Sequence, residues 1–462
     1  MMLDAIFERF VAKSPITVMA QLGLERVLEP NWLDEVFEEY RGRQYERELL
    51  FSTVVDLVAL VALGMQPSVH AAARTREDLH VSLGALYDKI NHTEPALGRA
   101  VVRQSAARLT AVVEQFRAGR PSMCPGYRMR IVDGNCLAPS EKRLKPLRKV
   151  RSAALPGRSL VVYDPDRGLV VDVLPSEDGH AGERALMAAL IATATPGELW
   201  LGDRAFCTYN IMAGWQGQGC CFLVREHGTN AKLTDCGPLL PQGQTETGTV
   251  LEHLVDCHGP GPTASSIRLR RIELHLNQAT EDGETVVALL TNLPEAVTAI
   301  QIANLYRRRW TIESMFQKIE SILKSEIKTL GYPRAALFSF CMALLGFNIL
   351  STMQAAVEKR HQIDPSSPEE LSLYYVANEV RRIHPGMMII LPPESWAAQR
   401  NLPLAEFCDL LLRVAVYVKP SVLRKTPRGP KQRVKKKPVP PSVAGAHVST
   451  ARLLSKARRE TP

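Results

Sequence analysis

The chain has 462 residues, enough for about two to four domains, and its composition of 45% hydrophobic and 23% charged residues excludes a disordered, collagen-like or membrane-embedded protein. The net charge of +9 is concentrated at one end, because residues 419–462 contain 13 Lys and Arg and one Glu, so that residues 1–418 sum to −3. The composition therefore predicts a nearly neutral folded body and a basic disordered tail, which either attracts polyanions or is merely solvated.

Residues 1–120 show apolar positions three and four residues apart, which predicts a helical N-terminal domain. The first residues, MMLDAIFERFVAK, carry acids where a secretory signal is apolar, and the longest apolar run, from Leu49, contains Asp56 and is too short for a membrane span. The stretch from Pro67 to Val102 is compatible with a helix-turn-helix that binds DNA and equally with a plain helical bundle. The nine cysteines lack the spacing of a zinc finger, which argues against a zinc module. Together these features predict a reduced, cytoplasmic protein.

From residue 121 the pattern changes to strands. MRIVDGN is a short apolar strand, SLVVYDPDRGLVVDVLP is a hairpin, GERALMAALIATA is a helix and ELWLGDRAF is a further strand. This order predicts an α/β fold with a ribonuclease-H-like core over residues 121–355.

A β-rich insertion is predicted at about residues 207–293, where the alternation in IRLRRIELHL slips at Arg270 and Arg271 as a β-bulge or a bend would cause. A long helix follows from about Ala296, and the segment PRAALFSFCMALLGFNILSTMQAAVEK is apolar on nearly all sides, which indicates a buried helix. Residues 356–418 are expected to form a helical C-terminal region before the basic tail.

Two aspartates, Asp133 and Asp203, stand at the ends of predicted strands. A crossover helix between the strands would make them parallel neighbours about 4.8 Å apart and bring the carboxylates together. Close carboxylates repel unless a divalent cation neutralises them, and oxygen ligands favour magnesium or manganese over zinc. The ordinary alternative for each aspartate is a turn residue.

The helix after the insertion contributes a third acid. Tyr306, Arg309 and Glu313 follow at three- and four-residue spacing and so share one helix face, although such an Arg-Glu pair is usually a surface ion pair. A separate apolar stripe would attach this helix to the core; it consists of Ile312, Phe316, Ile319 and Leu323.

The segments IVDGN, WLGDRAF and LYRRRWTIESMFQKI together resemble bacterial insertion-sequence transposases of the Asp-Asp-Glu class, in the group whose type element is insertion sequence four and whose helix carries a Tyr, Arg, Glu and Lys signature. The resemblance covers roughly residues 125–350. It implies cleavage at transposon ends and strand transfer into target DNA by two-metal phosphodiester hydrolysis and transesterification. It also implies magnesium, for which manganese can substitute, and a homodimer on double-stranded DNA.

Residue by residue, the resemblance implies that Asp133, Asp203 and Glu313 are the catalytic residues and the metal ligands. Tyr306 and Arg309 would bind a DNA phosphate, and a basic loop after the first aspartate would hold the backbone. The loop residues are Lys142, Arg143, Lys145, Arg148, Lys149, Arg151 and Arg158.

Two positions depart from the pattern of this group. Glu320 stands where the signature has Lys, and Lys324, on the same predicted helix face as Glu313, is the candidate replacement for binding DNA. The insertion has no tryptophan after Trp215, where relatives that form DNA hairpins stack a flipped base, so Phe222 is the candidate substitute. Two alternatives stay open, a catalytically inactive DNA-binding relic or inhibitor and a ribonuclease-H-like nuclease not linked to mobility.

Overall fold

The computed structural model describes residues 5–44, 48–117, 122–139, 144–229, 231–261, 265–280, 283–327, 329–364, 371–425 and 447–460. Within these ranges the chain forms 18 α-helices and 12 β-strands. One large mixed sheet is packed between helices, which is compatible with the predicted α/β class.

Helices account for the regular structure in the described part of residues 1–120. Serine side chains begin two of these helices, because Ser68 and Ser82 accept hydrogen bonds from the backbone N–H groups of Ala71 and Ala85. The helices are α1 (Ala5–Lys13), α2 (Pro15–Val27), α3 (Pro30–Tyr40), α4 (Phe51–Ala62), α5 (Val69–Arg74), α6 (Leu83–His92) and α7 (Pro95–Arg117).

Five strands form one side of the sheet, beginning at its edge strand β4, in the order β4-β3-β1-β5-β6. Strand β3 is antiparallel to both of its neighbours, whereas β1, β5 and β6 are parallel. Gly168 has a φ of 68° in the predicted turn between β3 and β4. This topology is compatible with a ribonuclease-H-like core. The elements are β1 (Arg128–Cys136), α8 (Lys145–Arg148), β2 (Ala153–Leu155), β3 (Arg158–Asp164), β4 (Leu169–Ser176), α9 (Glu183–Ile191), β5 (Glu198–Gly202), α10 (Tyr209–Gly217) and β6 (Cys221–Arg225).

The predicted β-rich insertion extends the same sheet. Strand β11 pairs with β6, β10 with β11 and β9 with β10, and two short strands both pair with β9. Strand β6 itself is parallel to β5, so the added strands begin after β6 rather than at about residue 207. They are β7 (Lys232–Asp235), β8 (Leu240–Thr245), β9 (Gly248–His258), β10 (Ser266–Leu276) and β11 (Val286–Thr291).

The predicted β-bulge at Arg270 and Arg271 is wrong, because β10 pairs with β9 without interruption. Arg270 is buried on the same face of β10 as Ile272. Its guanidinium donates hydrogen bonds to the Glu252 carboxylate at 2.5 Å and to the Pro294 carbonyl at 2.8 Å. Arg270 is thus a charged residue at an inward-facing position, which its hydrogen bonds make possible. The strand is regular, and only its polar-apolar pattern is interrupted.

Helix α13 is the centre of the helical part of the protein. Helices α2, α4, α6, α7, α14 and α16 pack against it, as does strand β4. It is the one helix in the described residues that is long and apolar enough to cross a membrane, but 94% of its apolar window is buried in the protein, which confirms the predicted buried helix. The later helices are α11 (Ala299–Arg307), α12 (Thr311–Ile322), α13 (Pro333–His361), α14 (Leu373–Ile390), α15 (Ala397–Arg400), α16 (Leu404–Ala415) and α17 (Pro420–Leu423).

Two apolar clusters pack on opposite faces of the sheet. Ile131 of β1 belongs to the cluster that includes α11, α12 and α13, and its neighbour Val132 belongs to the cluster that includes α9 and α10. This is the alternation expected of a strand covered on both sides. By the same alternation Asp133 faces α12, whereas Gly134 lies on the α9 side.

The basic tail differs from the predicted disorder over residues 447–460. Strand β12 (His447–Ser449) pairs in parallel with β2, and helix α18 (Thr450–Arg459) packs against α8. Composition alone predicted disorder because the tail is poor in apolar residues, but strand β2, about 290 residues away in the sequence, supplies its pairing partner. Residues 426–446 lie outside the described residues.

Candidate functional site

Asp133 and Asp203 leave adjacent parallel strands at the same edge of the sheet. The pairing of β1 with β5 runs from Arg128 opposite Glu198 to Ile131 opposite Leu201. Continued by two residues, this register places Asp133 opposite Asp203. The predicted parallel neighbourhood of the two strands is thus confirmed.

The backbone orients both aspartate carboxylates. Oδ1 of Asp133 accepts a hydrogen bond from the N–H of Gly134 at 2.8 Å. Oδ1 of Asp203 accepts one from the N–H of Ala205, also at 2.8 Å, at the start of the 3-10 turn Arg204–Phe206. Asp203 is therefore a turn-capping residue as well as a site candidate, so the two interpretations of this residue are compatible.

The third acid comes from a helix that is interrupted at the site. A 3-10 turn, Arg308–Trp310, separates α11 from α12, although the sequence predicted one continuous helix. Glu313 lies in the first turn of α12, where the helix dipole favours a carboxylate. Ile312 and Ile319 are buried and fix α12 to the core, as the predicted apolar stripe requires.

A single guanidinium connects two of the three acids. Nη2 of Arg309 donates to Oε1 of Glu313 at 2.9 Å, and Nη1 lies 3.5 Å from Oδ2 of Asp133. Arg309 is only 8% exposed, and its buried Nε has no hydrogen-bond partner. Among the residues that the structure describes, no group of three or more His, Cys, Asp or Glu side chains is arranged to hold a metal ion. Two of the three acids, Asp133 and Glu313, are thus held around an arginine.

The charges at this site are strongly coupled. Burial raises the pKa of Asp133 to about 6, although Arg309 and the Gly134 N–H lower it, and the negative charges of Asp203 and Glu183 raise it further. Burial lowers the pKa of Arg309, but Tyr306, Asp133 and Glu313 more than compensate and the net pKa is raised. The site therefore has an excess of negative charge that the guanidinium only partly balances.

A fourth acid, Glu183, was missed in the sequence. It lies in the first turn of α9 and approaches the site from the other face of the sheet. A Cβ added to Gly134 would lie 2.1 Å from Oε1 of Glu183, so only glycine permits this approach. Arg158 donates to the same oxygen at 2.6 Å. The glycine directly after Asp133 was the available signal, and it indicated a turn as readily as a close contact.

Tyr306 lies next to Arg309, on the shared face that the spacing predicts. Burial raises the pKa of its phenol to about 12, although Arg309 and Arg225 lower it. The phenol is consequently neutral.

The basic loop divides into exposed and paired residues. Lys145, Arg148, Lys149 and Arg151 are exposed on and just after α8. Arg158 instead donates to Glu183 and to the carbonyl of Ala181. Lys142 and Arg143 lie outside the described residues.

Lys324 does not join the carboxylates. Helix α12 ends at Ile322, so the helical face that would have carried Lys324 does not extend to it. Its ammonium donates to the carbonyl oxygens of Gln66 and Pro67, both at 3.2 Å, and burial lowers its pKa. The structure therefore corrects the predicted position of Lys324. Glu320 is exposed on α12.

The aromatic residues near the site are also placed differently from the prediction. Phe222 and Trp215 are fully buried, and their rings stack 6.1 Å apart within the core. Phe222 is therefore not available to stack on a DNA base. Trp310, in contrast, is 60% exposed, and the Arg309 guanidinium lies 5.1 Å from its ring.

Residues 142–348 match the family described as the transposase DDE domain. The match covers somewhat less than half of the chain, includes Asp203 and Glu313, and begins after Asp133. It supports a DDE transposase, a class of nucleases and strand transferases that act on DNA and generally use divalent metal ions. No curated protein matches the chain.

Proposed function

We propose that this protein is a DNA transposase that cuts the ends of a mobile element and joins them to target DNA. The observation that carries this proposal is the register of Asp133 with Asp203 together with the Arg309 link from Asp133 to Glu313. The family match of residues 142–348 supports it. Assignment to the group of insertion sequence four rests on Tyr306, Arg309 and Glu313.

The chemistry of the three acids suits magnesium or manganese, although among the described residues they are not arranged as a metal-binding group. Three carboxylates supply the oxygen ligands that these cations prefer. Burial raises the pKa of Asp133 to about 6, and Asp203 and Glu183 add to the rise; a divalent cation beside the carboxylates would favour their charged form. Asp133, Asp203 and Glu313 would hold the ions. Two such ions, when bound, would activate a water or a DNA 3′-hydroxyl and stabilise the leaving oxygen.

Arg309 has two roles in this proposal. In the described conformation it neutralises Asp133 and Glu313 and keeps them close together. Its Nε is buried without a hydrogen-bond partner, so the side chain has to move before it can bind a phosphate, which a guanidinium does in a paired geometry that lysine cannot reproduce. Transfer of Arg309 from the carboxylates to a DNA phosphate would leave the acids free to hold the cations.

The remaining partners follow from the same assignment. Exposed Lys145, Arg148, Lys149 and Arg151 would contact the backbone of double-stranded DNA. We further propose a homodimer, because two transposon ends are processed together, and a cytoplasmic location.

One observation favours a second candidate, an inactive relic that binds DNA. The signature lysine is replaced by exposed Glu320, and Lys324 is hydrogen-bonded to the connection between α4 and α5 instead of to the site. The phosphate contact of that lysine is then missing unless another residue provides it.

The test is cleavage of a duplex that carries the DNA flanking the coding region, by the full chain with Mg²⁺. We expect nicking and strand transfer, and a loss of more than about 100-fold in Asp133→Asn, Asp203→Asn and Glu313→Gln. Asp235→Asn is the matched control, since this side chain is 75% exposed on β7. Equal cleavage by Asp133→Asn would refute the assignment, and binding without any cleavage would support the relic.

A further inference from the structure

The C-terminal segment, His447–Arg459, is attached directly beside the candidate site. Strand β12 pairs with β2, and α18 packs on α8. Both partners belong to the connection between β1, which carries Asp133, and β3. The segment thus covers the loop that leaves the candidate site.

Specific polar contacts anchor this segment. Nε and Nη2 of Arg452 donate to Oδ2 of Asp178 at 2.9 and 2.6 Å. Burial raises the pKa of Asp178, but hydrogen bonds from Arg452 and the His180 N–H outweigh it and lower the pKa to about 2. The ring of His447 lies edge-on to that of His180, 4.9 Å away. The docked position is therefore built by several groups.

Asp178, which holds Arg452, lies shortly before Glu183 in the sequence. Asp178 precedes α9 by a few residues, and Glu183 in the first turn of α9 contacts Gly134. Leu155, which pairs with Ser449, also packs against Gly179. The attachment of the C-terminal segment is thus linked to Gly134, next to Asp133, through the start of α9.

Docking brings two basic segments of the chain together. All of their Lys and Arg side chains are exposed, and Glu460 is the one acid in residues 144–151 and 447–460. Arg452 is paired with Asp178, and Lys456 lies 3.8 Å from Glu460. Seven cations other than Arg452 are exposed on α8, just after it, or on α18. They are Lys145, Arg148, Lys149, Arg151, Lys456, Arg458 and Arg459.

We propose that α18 and the segment from Lys145 to Arg151 form one cationic surface, which binds the phosphates of the DNA on either side of the bond to be cut. This inference rests on the proposed function, because it takes the occupant to be double-stranded DNA. It adds a partner surface that is created only when the C-terminal segment docks on β2. Cations so arranged would supply affinity without sequence preference.

The first test replaces two cations of this surface in the full chain. For Arg458→Gln with Arg459→Gln we expect about tenfold weaker binding to a random-sequence duplex near 0.15 M salt, and a slope of log affinity against log salt that is smaller by about two. The matched control is Lys359→Gln with Arg360→Gln, an exposed basic pair at the end of α13. The control pair is far from the proposed surface. It lies roughly 33 Å along α13 from Leu337, and Leu337 packs beside Gly157, between β2 and β3. An unchanged slope in the α18 variant overturns the proposal.

The second test removes the anchor without removing a cation. Asp178→Asn deletes a negative charge, so a surface that did not need docking would bind DNA more tightly. We expect weaker binding and faster tryptic cleavage after Arg452, because α18 loses its attachment to the loop. Tighter binding with unchanged proteolysis overturns the proposal.

These experiments distinguish failure of the cationic surface from failure of the transposase assignment. Cleavage by the full chain with an unchanged salt slope in the α18 variant would leave the transposase assignment standing and refute the surface. A reduced salt slope in a protein that never cleaves would support the surface and refute the catalytic assignment.

Discussion

Arg309 illustrates how burial changes the meaning of a residue. An arginine four residues before a glutamate usually forms a surface ion pair of small energetic value. Here the side chain is buried, and its two terminal nitrogens contact carboxylates from two different elements. Removal of such a partner leaves charges without compensation, which costs far more than the loss of a surface pair.

We therefore expect Arg309→Gln to lower the free energy of unfolding by about 2 kcal/mol, since Asp133 and Glu313 lose their counter-charge. Added Mg²⁺ should restore more stability in this variant than in the native chain, because guanidinium and cation compete for the same oxygens. Urea denaturation with and without Mg²⁺ measures both effects.

Arg307→Gln is the control for this experiment. Its side chain is 48% exposed and lies 3.4 Å from Glu246, so a change within about 0.5 kcal/mol is expected. Equal stabilisation of native and Arg309→Gln protein by Mg²⁺ would contradict competition at the carboxylates.

At the scale of elements, α13 closes the free edge of the sheet. Strand β4 is an edge strand, so one side of its backbone lacks a neighbouring strand. Asn348, fully buried in α13, accepts from the N–H of Val170 and donates to its carbonyl, both at 2.8 Å. A helix side chain thus replaces the missing strand at this position.

We expect Asn348→Leu to lower the free energy of unfolding by about 3 kcal/mol, because it leaves a buried N–H and C=O unsatisfied. Ser339→Ala is the control on the same helix, since the Ser339 hydroxyl is buried without a hydrogen-bond partner. Its effect should stay within about 0.5 kcal/mol in urea denaturation. Similar losses in both variants would show that packing volume, rather than hydrogen bonding, matters at Asn348.

A buried histidine joins α14 to α2. Nε2 of His384 lies 2.8 Å from Oε1 of Gln21, and burial lowers the pKa of His384 to about 4. The unfolded chain binds a proton near pH 6.5 and the folded chain only near pH 4. The contribution of this group to stability is therefore complete above pH 6.5 and is lost as the pH falls from 6.5 to 4.

The expected loss from His384 between pH 7 and pH 4 is about 3 kcal/mol. His384→Gln should remove that part of the decline, whereas His80→Gln, at an exposed position, should keep the native profile. Urea denaturation at several pH values gives the difference between the profiles. Parallel profiles for native and His384→Gln protein would contradict a neutral buried imidazole.

At the scale of the whole molecule, distant parts of the sequence share one core. One apolar cluster extends from Phe7 to Leu423 and includes α13 and alternate residues of the central strands. Helix α2 packs with α14 and α16, and α7 packs with β4 and α13. The predicted division into regions 1–120, 121–355, 356–418 and 419–462 stays a prediction, but helices of the first and third regions are buried against each other.

We expect the fragment 1–120 on its own to lack a cooperative thermal transition, because α4 and α7 would expose the apolar faces that α13 covers. Circular dichroism and dye binding, compared with the full chain, measure this. A monomeric fragment with a sharp transition would show instead that the N-terminal helices are an independent domain.

Much of the fold and part of the candidate site could be predicted because they depend on local patterns. Alternation and turn residues identified β1, the β3–β4 hairpin and β5, and with them the positions of Asp133 and Asp203. The spacing of Tyr306, Arg309 and Glu313 placed these side chains on one face, and it survived the 3-10 turn between them.

What the sequence by itself determined is thus the kind and order of elements and the placement of acids at their ends, because period and turn chemistry are properties of neighbouring residues. Only the tertiary structure decided that Glu183 approaches Gly134, that Arg309 is buried between acids, that Lys324 is hydrogen-bonded to the connection between α4 and α5 and that α18 docks on the loop after β1. These contacts join segments far apart in the chain, and their energies depend on burial and on partners that no local pattern records.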